Sequence, residues 1–193
     1  MDHGLTNLDG LISEEIGNVL YGYAREVSGG STIVELGSYR GMSTCYLAAG
    51  ARDGLGPAVY AVDTWSEDVS EWRSAVKDYL PSPLYSDFEN QLREQRLWSR
   101  VTPIQARTAE AADLYRGQKP VGLLYIDADH HYEAVMADFK AWHRHCADGA
   151  RVIFDDYDTR TNPGVTRAVH ELAEKGHIKN LRKEAGRLAV CHL

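Results

Sequence analysis

The sequence predicts an α/β domain built on a Rossmann-like, doubly wound and mostly parallel sheet, with helices on both faces and a helical lid insertion. Three observations carry this. Short apolar runs rich in β-branched residues recur at 32–36, 58–62, 101–105, 121–126, 151–154 and 188–192. Stretches with apolar residues at helical spacing separate most of them. The runs are nearly continuous in apolar residues, the pattern of strands buried on both faces.

The elements follow in order. Ser13 suits an N-cap, Glu14 and Glu15 complement the positive first turn of a helix, and Ile16, Leu20 and Tyr23 recur on one face until Ser28-Gly29-Gly30 stops it. Strand 32–36 runs through a glycine turn into a helix over 42–52, and 58–62 is the second strand. The connection 66–100 is long and holds Trp72, Tyr79, Pro81, Pro83, Tyr85, Phe88 and Trp98. It reads as one or two helices closing over a ligand, with Trp72, Tyr79 and Tyr85 placed to touch an acceptor; additional core packing is the competing reading. Strands 101–105 and 121–126 precede a helix over 132–146 with Val135, Phe139, Trp142 and Cys146 on one face. Strand 151–154, a helix over 165–175 and strand 188–192 complete the chain.

At 193 residues this is one domain, 1–193, with 66–100 as its lid. The 28 acidic residues outnumber the 21 basic ones, giving a formal charge of −7, which argues against non-specific binding to nucleic acid or to an anionic membrane. Cys45, Cys146 and Cys191 are odd in number and lack C-x-x-C spacing, so a reducing, cytoplasmic setting is expected. The polar start MDHGLTNLDG lacks a signal-peptide pattern, and no apolar stretch is long enough to span a bilayer.

Ligands of such sheets sit at the carboxyl ends of the strands. After the first strand, Gly37 and Gly41 let the backbone approach a ligand closely, although the middle glycine of G-x-G-x-x-G is absent. The second strand ends in Asp63, an acid able to accept from both hydroxyls of a ribose. Together they point to an adenosine-containing ligand; a plain turn with Asp63 as a helix cap is the competing reading. Asp127 and Asp129 follow one strand, and Asp155 and Asp156 the next. If those strands are neighbours, the four carboxylates converge and require protons or a cation. Oxygen donors suit Mg²⁺ or Mn²⁺. His143 and His145 are two apart and do not share a helix face, so solvated or capping roles suit them better.

Val34-Glu35-Leu36-Gly37-Ser38-Tyr39-Arg40-Gly41-Met42-Ser43 resembles the first motif of class I S-adenosylmethionine-dependent methyltransferases, and Ala61-Val62-Asp63-Thr64-Trp65 their second. Ile126-Asp127-Ala128-Asp129-His130-His131-Tyr132-Glu133 and Phe154-Asp155-Asp156-Tyr157 are similar to the metal-dependent branch that methylates hydroxyls of macrolide and aminocoumarin sugars and related saccharides. The resemblance implies that Glu35, Gly37, Ser38 and Gly41 line the methionine end of S-adenosylmethionine, that Asp63 holds the ribose with Trp65 nearby, and that Arg107 and Thr108 meet the adenine edge. It implies Asp127, Asp155 and Asp156 as ligands of Mg²⁺ or Mn²⁺, a small acceptor, most simply a sugar, and a homodimer. The general base is divided between His130 and Asp129, each used in one subgroup, with His131 as the third candidate. An imidazole titrates near pH 6.5 unperturbed and suits the role.

Three rival readings exist. Asp127-Ala128-Asp129 matches the D-x-D pattern of metal-dependent glycosyltransferases. A nicotinamide-dependent oxidoreductase is disfavoured by the missing middle glycine. A non-catalytic S-adenosylmethionine-binding regulatory module would have no need of the acidic cluster.

Overall fold

The computed structural model describes residues 3–66, 84–115 and 119–193. Its seven strands form one sheet in the order β3-β2-β1-β4-β5-β7-β6. The strands are β1 Thr32–Leu36, β2 Val59–Asp63, β3 Val101–Gln105, β4 Val121–Ile126, β5 Cys146–Phe154, β6 Lys179–Glu184 and β7 Leu188–His192. The first five pair in parallel; β7 slots antiparallel between β5 and β6. The helices are α1 Glu14–Glu26, α2 Met42–Asp53, α3 Leu84–Glu94, α4 Thr108–Leu114, α5 Tyr132–His143 and α6 Pro163–Glu174.

The alternating faces of the strands feed two cores. Ile33, Leu123, Tyr125 and Ile153 point to one side, where α1, α2 and α3 cover them with Leu20, Leu47 and Phe88. Val34, Leu36, Leu124, Val152 and Phe154 point to the other, beneath α4, α5 and α6 with Ala111, Trp142 and Val169. All five residues of β1 are buried, as a central parallel strand requires. Ser13 caps α1 by accepting from the Ile16 amide at 3.3 Å. No helix among the described residues is long and apolar enough to cross a membrane.

Several elements differ from the sequence-based expectation. β5 is longer, starting at Cys146, so α5 ends three residues before it, at His143. α4 and β6 were not anticipated. α4 buries only Ala111 and Ala112, and β6, Lys-Asn-Leu-Arg-Lys-Glu, is an exposed edge strand with no apolar run. Of the long 66–100 connection, α3 packs as core, with Trp98 of the 3-10 turn Trp98–Arg100 partly buried against it: Phe88 is fully buried against Trp65, Tyr85 and Trp98. The remainder, with Trp72 and Tyr79, lies outside the described residues.

The buried Gln91 of α3 ties three segments together. Its Oε1 accepts from the Asp9 amide at 2.6 Å, and its Nε2 donates to the carbonyls of Asp9 at 3.0 Å and Arg40 at 2.7 Å. Arg40 also pairs with the Asp9 carboxylate. The segment before α1 is thereby strapped to the turn that follows β1.

Candidate active site

The strand order reverses between β1 and β4, which opens a crevice at their carboxyl ends. On the β1 side the chain turns at Gly37, with φ +90°, and enters α2 through Gly41, with φ +88°. Both values favour glycine. Gly41 gives α2 no side-chain cap and the first turn of α2 has no acid, so its amides are left for a ligand.

Asp63, at the end of β2, organises this turn. Its Oδ2 accepts from the amides of Ser38 at 3.0 Å and Tyr39 at 2.8 Å, and its Oδ1 from the Trp65 amide at 2.8 Å. Trp65 is buried, with Nε1 donating to the Tyr39 carbonyl at 2.8 Å. Beneath the turn, the fully buried Glu35 accepts from the Ser38 hydroxyl at 2.8 Å and from Thr44. Burial pushes the Glu35 carboxyl up to about 7, despite hydrogen bonds from Ser43, Thr44 and Ser38. Gly37, Ser38, Gly41, Asp63 and Trp65 therefore form one unit. Glu35, fully buried, and Trp65, almost so, brace it from below.

At the adenine edge expected after β3, Arg107 is exposed at the N-cap of α4. Thr108 is turned inward: its hydroxyl donates to Asp138 at 2.6 Å, and its carbonyl accepts from Trp142 Nε1 at 2.8 Å. Burial raises Asp138 to about 6.

On the β4 side the acids do converge, but with different partners than expected. Asp127, His130 and Asp156 offer ligand atoms that all lie within 4.8 Å of one another. His130 Nε2 stands 3.1 Å from Asp156 Oδ2 and 3.8 Å from Asp127 Oδ1. Asp127 holds the imidazole above its ordinary value, aided by the charges of Asp156 and Asp129. Asp156 sits in the left-handed region at φ 57°, and Asn162 Nδ2 donates to its Oδ2 at 2.6 Å. α6 abuts this loop so closely that a Cβ at Gly164 would lie 2.4 Å from the His130 carbonyl oxygen.

Asp155, expected in the same ligand set, is otherwise engaged. Its side chain is fully buried; Oδ2 accepts from the Tyr125 hydroxyl at 2.7 Å and from Arg187 Nη2 at 3.1 Å. Tyr125 also lies 3.0 Å from Asp127 Oδ2. One phenolic proton cannot serve both carboxylates. Burial and the charge of Asp155 push the Asp127 carboxyl up to about 7. Asp129 does not join the cluster: its Oδ1 accepts from the His131 amide at 2.8 Å and lies 2.6 Å from His131 Nδ1, with both side chains more than half exposed. Those contacts hold Asp129 below the usual carboxylate range, against the effect of burial.

Sequence reasoning missed Tyr125 and Arg187. Tyr125 reads as an ordinary strand residue, and its only signal is a hydroxyl two positions before Asp127. Arg187 enters from the β6–β7 turn, next to Gly186, and the unrecognised β6 concealed that hairpin.

Residues 34–157 match the family model described as "Methyltransferase domain". Uncharacterized protein y4gI of Sinorhizobium fredii is 31% identical over 143 residues, which is 73% of this chain and 15% of that protein. An uncharacterized protein of Acanthamoeba polyphaga mimivirus is 38% identical over 53 residues, 27% of this chain and 24% of its own length. The matches thus span less than a quarter of either relative. Among solved structures, the O-methyltransferase NovP superposes with a TM-score of 0.76 at 18% identity, covering 96% of this chain and 82% of that one. CalS11, a TDP-rhamnose 3'-O-methyltransferase of calicheamicin biosynthesis, gives 0.62 at 23% identity, covering 92% and 77%. At these identities the likeness is one of fold.

Proposed function

The chain belongs to the methyltransferase-domain family, and we propose that it moves a methyl group from S-adenosylmethionine to a hydroxyl of a small acceptor, a saccharide. One observation carries the reading. Gly37, on the cofactor side, and Asp127, on the acidic side, follow the paired strand-end residues Leu36 and Ile126 and lie against each other: a Cβ at Gly37 would lie 2.0 Å from the Asp127 carbonyl oxygen. A ligand held by the glycine turn and Asp63 therefore ends beside the acidic cluster. The sugar class is supported by the chemistry named for CalS11 and by carboxylates suited to polyhydroxyl ligands.

S-adenosylmethionine supplies an electrophilic methyl carbon on a sulfonium. The turn amides of α2 suit its carboxylate, and Asp63 its ribose. On the acceptor side, His130 takes the hydroxyl proton as the oxygen–carbon bond forms and the carbon–sulfur pair returns to sulfur. With Nε2 held by Asp156, Nδ1 is the nitrogen left to accept that proton. Asp156 orients the ring and stabilises the imidazolium. Asp129, paired outward with His131, is the weaker base candidate.

The donor set fits a divalent ion. Asp127 and Asp156 would hold Mg²⁺ or Mn²⁺, which supplies a Lewis acid for the acceptor oxygen. An imidazole bound to the ion could not also take the proton. The preference of hard cations for oxygen leaves the carboxylates to the ion and His130 to the base role. The outward pairing of Asp129 works against the D-x-D glycosyltransferase reading, which needs both acids on one cation.

The test is a screen for S-adenosylhomocysteine release against mono- and oligosaccharides and catechols, with calorimetry of S-adenosylmethionine binding. Binding with turnover on a saccharide is expected. A response to catechols alone overturns the acceptor class, and absence of cofactor binding overturns the whole reading.

A further inference from the structure

Arg187 reaches the acidic cluster from a part of the chain that takes no share in the proposed cofactor site. Its Nε lies 2.8 Å from Asp155 Oδ1, off the line of a hydrogen bond, and its Nη2 donates to Asp155 Oδ2 at 3.1 Å. Its Nη1 lies 3.1 Å from Asp156 Oδ1. One guanidinium thus spans two successive carboxylates, as a divalent ion bridging them would. The backbone fixes this approach: the Tyr157 amide donates to the Arg187 carbonyl at 2.8 Å, and β7 pairs along β5 up to Phe154 and Ala189. The arginine side chain is only 31% exposed, and Asp155 is fully buried with Tyr125 on its other flank.

We propose that Arg187 is the resident cation of the cluster, holding Asp155 out of the divalent-ion site and competing with a divalent ion for Asp156. The inference rests on the proposed cation site but concerns this chain's own charge balance. Three carboxylates, Asp127, Asp155 and Asp156, converge here, and a guanidinium supplies one fixed positive charge that no chelator removes. Asp155 then acts as a positioning residue: it anchors Arg187 and Tyr125, and does not touch the ion. The ion is left with Asp127 and the Oδ2 side of Asp156, which it shares with Asn162 and His130, so it binds more weakly than three carboxylates would allow.

The experiment is Mn²⁺ titration of the chelator-treated protein followed by electron paramagnetic resonance, on the native chain and on Arg187→Gln, Arg187→Lys and Asp155→Asn. Thermal unfolding and calorimetry of S-adenosylmethionine binding run alongside. Arg187→Gln should bind Mn²⁺ at least about tenfold more tightly than native, with Arg187→Lys nearer to native. Asp155→Asn should leave Mn²⁺ affinity within about threefold, whereas Asp127→Asn lowers it at least about tenfold. The proposal is overturned if folded Arg187→Gln binds Mn²⁺ no more tightly than native, including the case where neither binds. If Arg187→Gln does not fold, the asparagine pair decides: an Asp155→Asn loss equal to that of Asp127→Asn makes Asp155 a ligand and overturns the proposal. Cofactor calorimetry separates this from failure of the methyl-transfer reading, because S-adenosylmethionine binding does not depend on which carboxylates hold Mn²⁺.

Discussion

Gly37 lies so close to Asp127 that a Cβ on it would meet the carbonyl oxygen at 2.0 Å and the carbonyl carbon at 2.6 Å. The neighbour is backbone of the adjacent strand end and cannot swing away. With φ at +90° as well, Gly37→Ala should lose at least about 2 kcal/mol of stability and most cofactor binding. Thermal melts and calorimetry of S-adenosylmethionine measure the two effects; a variant with native values for both would show that the strands can part freely at this point.

Asp63 accepts three backbone amides in addition to any ribose hydroxyl. Asp63→Ala removes both acceptor oxygens and leaves the Ser38, Tyr39 and Trp65 amides to water. S-adenosylmethionine affinity should fall at least tenfold, about 1.4 kcal/mol. Melting should also drop by about 2 kcal/mol, because the carboxylate braces the turn before any ligand arrives.

His130→Ala should lower kcat by about 10²-fold while leaving cofactor affinity intact. The neighbouring carboxylates raise this imidazole above 6.5, and only its neutral form can accept a proton. The native rate should therefore climb with pH through a value above 6.5, and that limb should vanish in the variant. If the limb persists in His130→Ala, the base role passes to Asp129.

Activity should be lost in EDTA and return with Mg²⁺. Full turnover by protein shown to be metal-free would assign acceptor activation to the imidazole alone, with the guanidinium of Arg187 as the cluster's only fixed cation.

Glu35 gives a pH test of stability. Its carboxyl rises from 4.5 to about 7 on folding, so between these values the folded state holds a proton that the unfolded state has released. Stability is present below about pH 4.5 and is lost as pH rises through about 7, by about 3 kcal/mol. Glu35→Gln should gain on the native protein at pH 8 relative to pH 5 in denaturant titrations. Equal pH dependence in both proteins would mean that Glu35 is ionised throughout.

The strands that could be read from the chain are those whose burial leaves a one-dimensional trace. Thr32–Leu36, Val121–Ile126 and Leu188–His192 run as expected because an apolar, β-branched run has few other uses, and the edge strand Val101–Gln105, with Val101 its one buried residue, still carries the β-branched residues Val101, Thr102 and Ile104. β6 left no such trace, since an edge strand with one partner is held by main-chain bonds and its side chains face solvent. The candidate site was readable to the extent that it follows strand ends. Asp63, Asp127 and Asp156 stand where strand ends deliver them. What the sequence could not supply was the pairing: Asp155 and Asp156 are adjacent in the chain, yet one faces Tyr125 and the other His130, with Arg187 reaching both. The left-handed turn at Asp156 separates them, and nothing in Phe-Asp-Asp-Tyr announces it.

The knot at Gln91 bears on the order in which the molecule takes shape. Its bonds join positions 82 and 51 residues apart, whereas α2 is held by bonds between near neighbours. Local helical contacts form within microseconds, and distant ones wait on the meeting of remote segments. The Arg40 carbonyl beside the glycine turn thus gains its partner only when α3 and the strap before α1 have both docked. The ligand-receiving edge is then completed only when all three segments have met, and parting any of them opens it. Amide exchange at Asp9, whose N–H is locked by Gln91, would mark that opening before the central strands yield.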